Sequence, residues 1–175
     1  LCESNGPKSF IMTINAGSIP ANHWIQDREV GGGRIIGEAC HFIDLLVFLN
    51  DSPIVGWSCN MMDTYSRDTV SINLKFADSS VGTVHYFSNG SKAFPKERLE
   101  VFSGGGLLQL DNYRRLVGFG WPGFRKMSLW RQDKGHRACS KAFMDAVAGR
   151  ISSPIAAQDI FDVSRICIAI ADGSE

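Results

Sequence analysis

The chain has 175 residues, and 18 Lys plus Arg balance 18 Asp plus Glu, so its formal charge is zero. This balance argues against a nucleic-acid-binding protein, because phosphate contacts need clustered basic residues. No apolar run in the sequence approaches the length that spans a bilayer. The hydrophobic content of 44% instead indicates a globular protein, and the length is sufficient for one core.

The cysteines and the N-terminus bear on the compartment and on the extent of the protein. The five cysteines are widely spaced and form no CxxC pair, which gives no indication of a zinc or redox site and predicts free thiols in a reducing cytoplasm. We therefore expect no metal. The chain starts without Met or a signal peptide and reaches a predicted strand almost at once, which suggests a fragment of a longer protein. The cysteines are Cys2, Cys40, Cys59, Cys139 and Cys167.

The first third of the chain predicts a strand, a loop and a helix. Residues 8–15 are apolar and β-prone and predict a strand. Residues 16–33 are rich in Gly, Pro, Asn and Asp and predict a loop, with Trp24 and Ile25 as its anchors. Loops of this length inside a compact domain are commonly functional. Apolar residues at helical spacing predict a helix over residues 34–50.

The rest of the chain predicts a run of strands followed by two helices. Alternating apolar and polar residues predict hairpins, and helical stripes predict the last two elements. Runs of strands and of helices, without strict alternation, are typical of a single α+β domain over residues 1–175. We expect an open, mainly antiparallel sheet with helices packed on one face. The predicted strands are 54–61, 69–77, 80–87, 97–102, 107–111 and 127–132, and the predicted helices are 135–149 and 157–171.

The helix predicted over residues 34–50 carries the residues best suited to chemistry. Glu38, His41 and Asp44 are spaced by three, which on an α-helix places them on one face. A histidine between carboxylates suits proton transfer, since imidazole titrates near neutral pH. The same stripe also fits the solvent side of an amphipathic helix. The three glycines before it resemble a phosphate cradle, and Glu38 with His41 forms an ExxH pair, but neither pattern has the further residues that a P-loop or a metal bundle needs.

The segment GGGRIIGEACHFID, residues 31–44, resembles the GGGxLxDxGxHxxD motif of the glucose–fructose oxidoreductase and inositol dehydrogenase family, Gfo/Idh/MocA. PKERLEVFSGGGLLQLD, residues 95–111, is similar to a second family stretch. The resemblance implies the C-terminal α+β domain of a two-domain oxidoreductase, in which an N-terminal Rossmann domain binds NAD or NADP and carries a Glu-Lys-Pro motif. Neither that motif nor a Rossmann fingerprint in its strand–turn–helix context occurs in this sequence.

The resemblance places the family histidine on His41 and the later aspartate on Asp44. The earlier family aspartate falls on Gly37, and Glu38 lies one position further along. The segment GEACHFID is also similar to a GExCHFxD subgroup in which such domains follow a zinc-type alcohol dehydrogenase module. The motif therefore indicates the family more specifically than it indicates a substrate.

The resemblance implies hydride transfer between a nicotinamide and a secondary alcohol of a sugar or cyclitol. His41 is then the general base, assisted by Glu38 or Asp44. We expect the fragment alone to be inactive, to hold no cofactor, and to form homo-oligomers. The alternative is a non-catalytic oligomerisation or sugar-binding module that uses the exposed sheet face, with Leu74, Phe76, Tyr86 and Phe87 as interface residues. The predicted substrate-binding residues are Asn22, Trp24, Gly37 and Lys92, and the predicted cofactor contacts are Gly32 and Gly33.

Overall fold

The computed structural model describes residues 6–173, so Cys2 lies outside the described residues. Eight strands form one sheet: β1 (Ser9–Asn15), β2 (Ile54–Met61), β3 (Val70–Phe76), β4 (Val81–Phe87), β5 (Glu97–Ser103), β6 (Gly106–Asp111), β7 (Arg115–Phe119) and β8 (Lys126–Ser128). The helices are α1 (Cys40–Asn50), α2 (His136–Val147) and α3 (Ala157–Asp172). A 3₁₀ turn at Trp24–Gln26 and a π turn at Ile35–Ala39 precede α1.

The strand order across the sheet is β2-β3-β4-β1-β5-β6-β7-β8. Only the β1–β4 pair is parallel among the neighbours in this sheet, and the other pairs are antiparallel. The predicted α+β class and open, mainly antiparallel sheet are confirmed. Strand β7 was missed, because its short sequence RLVGF lacks a polar–apolar alternation. Strand β8 is shorter than the predicted strand over residues 127–132.

The core lies between one face of the sheet and the helices α1 and α3. Alternate residues of the central strands point into it, as the two-residue period of a strand requires. The helices contribute apolar stripes that cover these residues. Full burial of one such side chain stabilises the fold by about 1.5–3 kcal/mol. The fully buried set includes Phe10, Met12 and Ile14 of β1, Ile72 of β3, Val84 of β4, Ile43 and Leu46 of α1, and Ile170 of α3.

Helix α2 differs from the other two helices in that none of its residues is buried. Its larger apolar side chains, Phe143, Met144 and Val147, are each more than 60% exposed. The helical stripe predicted over residues 135–149 is therefore present. It packs against nothing that would bury it within residues 6–173.

The opposite face of the sheet is uncovered. The strand register places Val81, Phe102 and Phe119 at one end of this face, where they are 50%, 41% and 52% exposed. Most of the interface residues expected from the sequence lie on the face of the sheet that packs against the helices, and not on the open face. Leu74, Phe76 and Tyr86 are at most 3% exposed and belong to the core, because they alternate toward the helices. Phe87 does lie on the open face and is half-buried.

Among residues 6–173, no helix combines the length and the apolar character needed to cross a membrane.

Candidate functional site

The loop that leads to α1 is fixed by close backbone packing. Ile25 is buried and anchors the loop as predicted, whereas Trp24 is 61% exposed, so its predicted anchoring role is wrong. A Cβ atom on Gly31 would lie 2.4 Å from the Cα of Ile25. Only glycine permits this approach. Gly31 therefore brings the glycine segment against the 3₁₀ turn.

The helix predicted over residues 34–50 begins with a π turn. The Cys40 N–H donates to the Ile35 carbonyl, five residues back, and regular α-helix starts at Cys40. Such wide turns occur mostly as single bulges and are frequent at functional sites. Gly32 and Gly33, with φ of 71° and 85°, occupy the left-handed region and direct the chain into this turn.

Arg34, at the start of the π turn, is the centre of a buried polar cluster. Its side chain is 2% exposed. Arg34 Nε lies 2.9 Å from Glu38 Oε1, and Nη2 lies 3.3 Å from Oε2. Nη1 donates to the Gly17 carbonyl at 2.8 Å, and the guanidinium lies 5.3 Å from the centre of the Tyr86 ring. This fork geometry is the one that arginine uses to fix a carboxylate.

Asp68 provides the second negative charge next to Arg34. Its Oδ2 lies 3.7 Å from Arg34 Nη1, and its side chain is 4% exposed. Ser66 and Ser88 each donate a hydroxyl hydrogen bond to Oδ1, at 2.5 and 2.6 Å. Burial raises the pKa of Asp68, but these hydrogen bonds, one from Gln26, and the Arg34 charge outweigh it and hold the pKa below its usual value. Asp68 is therefore an ionised partner of Arg34.

Glu38 is held in its ionised form by the same cluster. The Tyr86 hydroxyl donates to Glu38 Oε2 at 2.8 Å, and Lys96 Nζ lies 3.7 Å from the same oxygen. Burial raises the pKa of Glu38, but the hydrogen bonds from Arg34 and Tyr86 and the charges of Arg34 and Lys96 lower it below its usual value. A carboxylate with this many donors is a weak base. Glu38 is suited to accept hydrogen bonds and not to remove a proton.

The three residues predicted to share one helix face have different surroundings in the structure. Glu38 points to Tyr86 on β4, while His41 is exposed and its side chain forms no hydrogen bond with a residue in the range 6–173. Asp44 faces the start of α3: burial raises its pKa, the charge of Asp159 raises it further, and the charge of His41 opposes both. The prediction assumed uniform α-helix from residue 34, and the π turn changes the angle between Glu38 and His41.

Gly37 occupies the position where the family motif has an aspartate. A Cβ atom there would lie 2.9 Å from Cδ1 of Ile25. A side chain at this position would require only the flexible end of the Ile25 side chain to move. The acidic side chain next to this position is that of Glu38.

The other predicted substrate-binding residues lie on separate segments. Asn22 is exposed on the loop before the 3₁₀ turn and Trp24 is exposed at its first residue, where the rings of His23 and Trp24 are 5.9 Å apart. Lys92 is exposed on the loop between β4 and β5 and lines a pocket with Lys96. Lys96 was not predicted, although it contacts Glu38. The pairing of Arg34 with Glu38 could have been read from their spacing of four residues.

One further glycine pattern was not recognised in the sequence. Gly118, Gly120 and Gly123 have the GxGxxG spacing of a dinucleotide fingerprint. In the structure these glycines lie at the end of β7 and in its connection to β8, so no helix follows them. They therefore lack the strand–turn–helix context that places a pyrophosphate at a helix N-terminus.

A nicotinamide cofactor can be tested against Gly32 and Gly33. A Cβ atom on Gly33 would meet nothing within 4 Å, so its backbone is open to a ligand. A Cβ atom on Gly32 would instead contact the Ile36 side chain at 3.6 Å, so Gly33 is the more open of the two. The sheet of residues 6–173 has a single parallel strand pair, so it does not have the doubly wound form that binds a whole dinucleotide.

Comparisons with known proteins give similarity in structure only. No family model and no curated protein matches the chain. Among solved structures, an oxidoreductase domain protein from Kribbella flavida is similar with a TM-score of 0.79 and 16% identity, over 99% of this chain and 57% of that one. An aldose-aldose oxidoreductase from Caulobacter crescentus is similar with a TM-score of 0.76 and 14% identity, over 98% and 54%.

A third similar structure is UDP-N-acetylglucosamine 3-dehydrogenase from Acidithiobacillus ferrooxidans, with a TM-score of 0.74 and 14% identity, over 97% of this chain and 54% of that one. The chain thus spans about half the length of the structures it matches. At such low identity the similarity establishes the fold. The chain has a fold found in oxidoreductases.

Proposed function

We propose that this chain is the C-terminal, substrate-binding domain of an oxidoreductase that transfers hydride between NAD or NADP and a secondary alcohol of a sugar or cyclitol. The observation that carries the proposal is His41, an exposed imidazole two residues after the π turn, in a fold shared over almost the whole chain with oxidoreductases. Two of the similar structures are named for sugar substrates, which supports this substrate class.

The proposed chemistry assigns one role to each residue of the site. His41 accepts the hydroxyl proton as the carbon–oxygen double bond forms, and Asp44 stabilises the imidazolium. Gly32 and Gly33 would hold a bound NAD(P)⁺, which would supply the hydride acceptor for the same carbon, so that the alcohol would become a ketone and the cofactor NAD(P)H. Glu38, kept ionised by Arg34 and Tyr86, accepts a hydrogen bond from a neighbouring hydroxyl group. Asn22 and Trp24 contact the substrate from the loop that leads to α1.

A second domain completes the proposed enzyme, and helix α2 supports this. Its apolar residues are uncovered within residues 6–173, and its C-terminus leads through residues 148–156 to the start of α3, next to Asp44. A nucleotide-binding domain that packs on α2 would cover this surface. The 175-residue chain alone is then expected to be inactive, and tight calorimetric binding of NADH to it would contradict the proposal.

The experiment uses the longer coding sequence that contains this chain. Reduction of NAD⁺ and NADP⁺ is followed by absorbance with aldoses and cyclitols as substrates, for the parent enzyme and for its His41→Ala variant. Loss of a general base lowers kcat by about 10²–10⁴-fold. Undiminished turnover in the variant would rule out His41 as the base. The exposed Lys75→Ala variant on β3 is the control and is expected to retain full turnover.

A second candidate function is homo-oligomerisation through the open sheet face. It is favoured by the exposed side chains of Val81, Phe102 and Phe119 and by a shallow apolar depression of about 570 Å³ next to the last two. Sedimentation is expected to give a dimer or larger species, and Phe119→Glu is expected to dissociate it. A wild-type chain that is monomeric at all concentrations contradicts this candidate.

A further inference from the structure

A basic pocket lies beside the candidate site, on the far side of Lys96. It has a volume of about 380 Å³, and its lining includes three lysines and one glutamate. This volume is in the range of small-molecule sites, and the pocket is shallow and open to solvent. Three lysines against one carboxylate leave a local excess of two positive charges, in a chain whose formal charge is zero. The polar lining residues are Lys92, Lys96, Lys134, Glu97, Asn112 and Gln132.

Lys134 is held in place by an ion pair with the buried Glu97. Its Nζ lies 2.6 Å from Glu97 Oε1, and the Glu97 side chain is 3% exposed. Nζ also lies 5.9 Å from the centre of the Tyr113 ring. The second carboxylate oxygen of Glu97 has no hydrogen-bond partner among the described residues. A buried carboxylate with one cation as its main partner fixes that cation, because separating the pair would leave the charge unpaired.

The loop that carries Lys92 is also fixed. The Asn15 side-chain amide donates to the carbonyls of Ser91 and Phe94, at 2.7 and 3.2 Å. The Lys92 stem packs on Gly17, where a Cβ atom would lie 2.9 Å from Lys92 Cγ. No carboxylate within residues 6–173 forms an ion pair with Lys92. The stem of Lys92 is thus packed, and its charge is not neutralised by a carboxylate of the described residues.

Lys96 connects the pocket to the candidate site. It lines the pocket, and its Nζ lies 3.7 Å from Glu38 Oε2. Glu38 already has the closer charge of Arg34 at 2.9 Å, so Lys96 is only partly neutralised. Glu38 precedes His41 by three residues. A ligand whose hydroxyl group reaches Glu38 can therefore extend past Lys96 into the pocket.

We propose that the pocket binds an anionic substituent of the substrate, a carboxylate or a phosphate attached to the sugar. The inference rests on the proposed function for the rest of the substrate. Lys92, Lys96 and Lys134 hold the anion through charge-assisted hydrogen bonds, and the amides of Asn112 and Gln132 contact its neighbouring hydroxyl groups. The substrate class narrows from neutral sugars and cyclitols to sugar acids or sugar phosphates.

The test compares three probes that share one ring: D-glucuronate, D-glucose 6-phosphate and D-glucose. Each is titrated into the 175-residue chain and followed by nuclear magnetic resonance, with the lysine side chains as reporters. We expect at least one anionic probe to bind more tightly than glucose and to shift the lysine signals. The preferred probe distinguishes carboxylate from phosphate. Binding is expected to weaken as ionic strength rises.

Two variants and one control make the test specific. Lys92→Ala is expected to weaken anion binding roughly tenfold, the loss of one charge-assisted hydrogen bond. The pair Glu97→Gln with Lys134→Gln removes both charges together, which avoids leaving a buried carboxylate unpaired, and is expected to weaken binding similarly. The control Lys75→Ala changes an exposed lysine on β3 that does not line the pocket.

The inference is overturned if neither anionic probe binds better than glucose, or if Lys92→Ala binds them as tightly as the Lys75→Ala control. Turnover of the parent enzyme with His41→Ala tests the proposed function separately. A failure of anion binding and a failure of the catalytic assignment are therefore distinguishable.

Discussion

Replacement of Arg34 by methionine is expected to be among the most destabilising single changes near the site. Methionine has a similar length but no charge and no donors. The change removes hydrogen bonds to both Glu38 oxygens and to the Gly17 carbonyl, at 2.9, 3.3 and 2.8 Å. It also leaves Asp68, whose side chain is 4% exposed, without its neighbouring positive charge.

The expected loss follows from burial. Removing one partner of a buried ion pair costs about 3–5 kcal/mol, because the other charge stays desolvated. Glu38→Gln is expected to cost less, about 1–3 kcal/mol, since Asp68 still faces Arg34 and the amide oxygen can accept from Tyr86. Arg34→Met is expected to lower the free energy of unfolding more than Glu38→Gln, because the Arg34 side chain is 2% exposed and that of Glu38 is 26% exposed.

The matched control is Arg98→Met. Arg98 Nε lies 2.8 Å from Asp111 Oδ1, nearly the same distance as in the buried pair, but the Arg98 side chain is 48% exposed. An exposed pair contributes about 0–1 kcal/mol. Urea unfolding of the three variants at neutral pH gives the free energies of unfolding. Equal losses for Arg34→Met and Arg98→Met would refute the reasoning, because burial would then make no difference.

Three further outcomes are expected. Gly31→Ala should lower the free energy of unfolding by about 3 kcal/mol through its backbone clash, whereas urea unfolding of Gly56→Ala, whose Cβ has only an ordinary 3.9 Å contact, should show a change within about 1 kcal/mol. Because the folded-state pKa of Asp44 is raised above its usual 3.8, Asp44→Asn should stabilise the fold at neutral pH, and unfolding curves should show this gain vanish as the pH falls below that value. An unchanged or lower stability at neutral pH would contradict this. The carboxyl resonance of Glu38 should titrate with a pKa below its usual 4.5, so the stability that its ionised form contributes is lost as the pH falls through the lowered pKa. Tyr86→Phe should raise this pKa, because it removes a hydrogen bond to the carboxylate. An unchanged pKa in the variant would show that Tyr86 does not affect the ionisation of Glu38.

Local patterns in the sequence were sufficient for most of the fold. The strand over residues 54–61 and the alternation in β3 could be predicted because successive side chains of a strand point to opposite faces of the sheet. The two faces have different environments, and this difference appears in the sequence as a two-residue period. The apolar spacing of α3 predicts its buried stripe in the same way. Strand β7 was missed because its five residues show no alternation of polar and apolar side chains, although they pair with β6 and β8, the strands next to it in the sequence.

The sequence by itself determined the α+β class, the open sheet and the segment that carries His41, because each depends on spacing along one stretch of chain. Only the tertiary structure decided which of the polar side chains in that segment point to the sheet and which point to solvent. The π turn, the packing of Ile25 on Gly37 and the hydrogen bond from Tyr86 turn Glu38 to the sheet. Because Tyr86 and Glu38 are 48 residues apart, no local sequence pattern could predict their contact. The fold thereby leaves His41 exposed and brings Lys96 to Glu38.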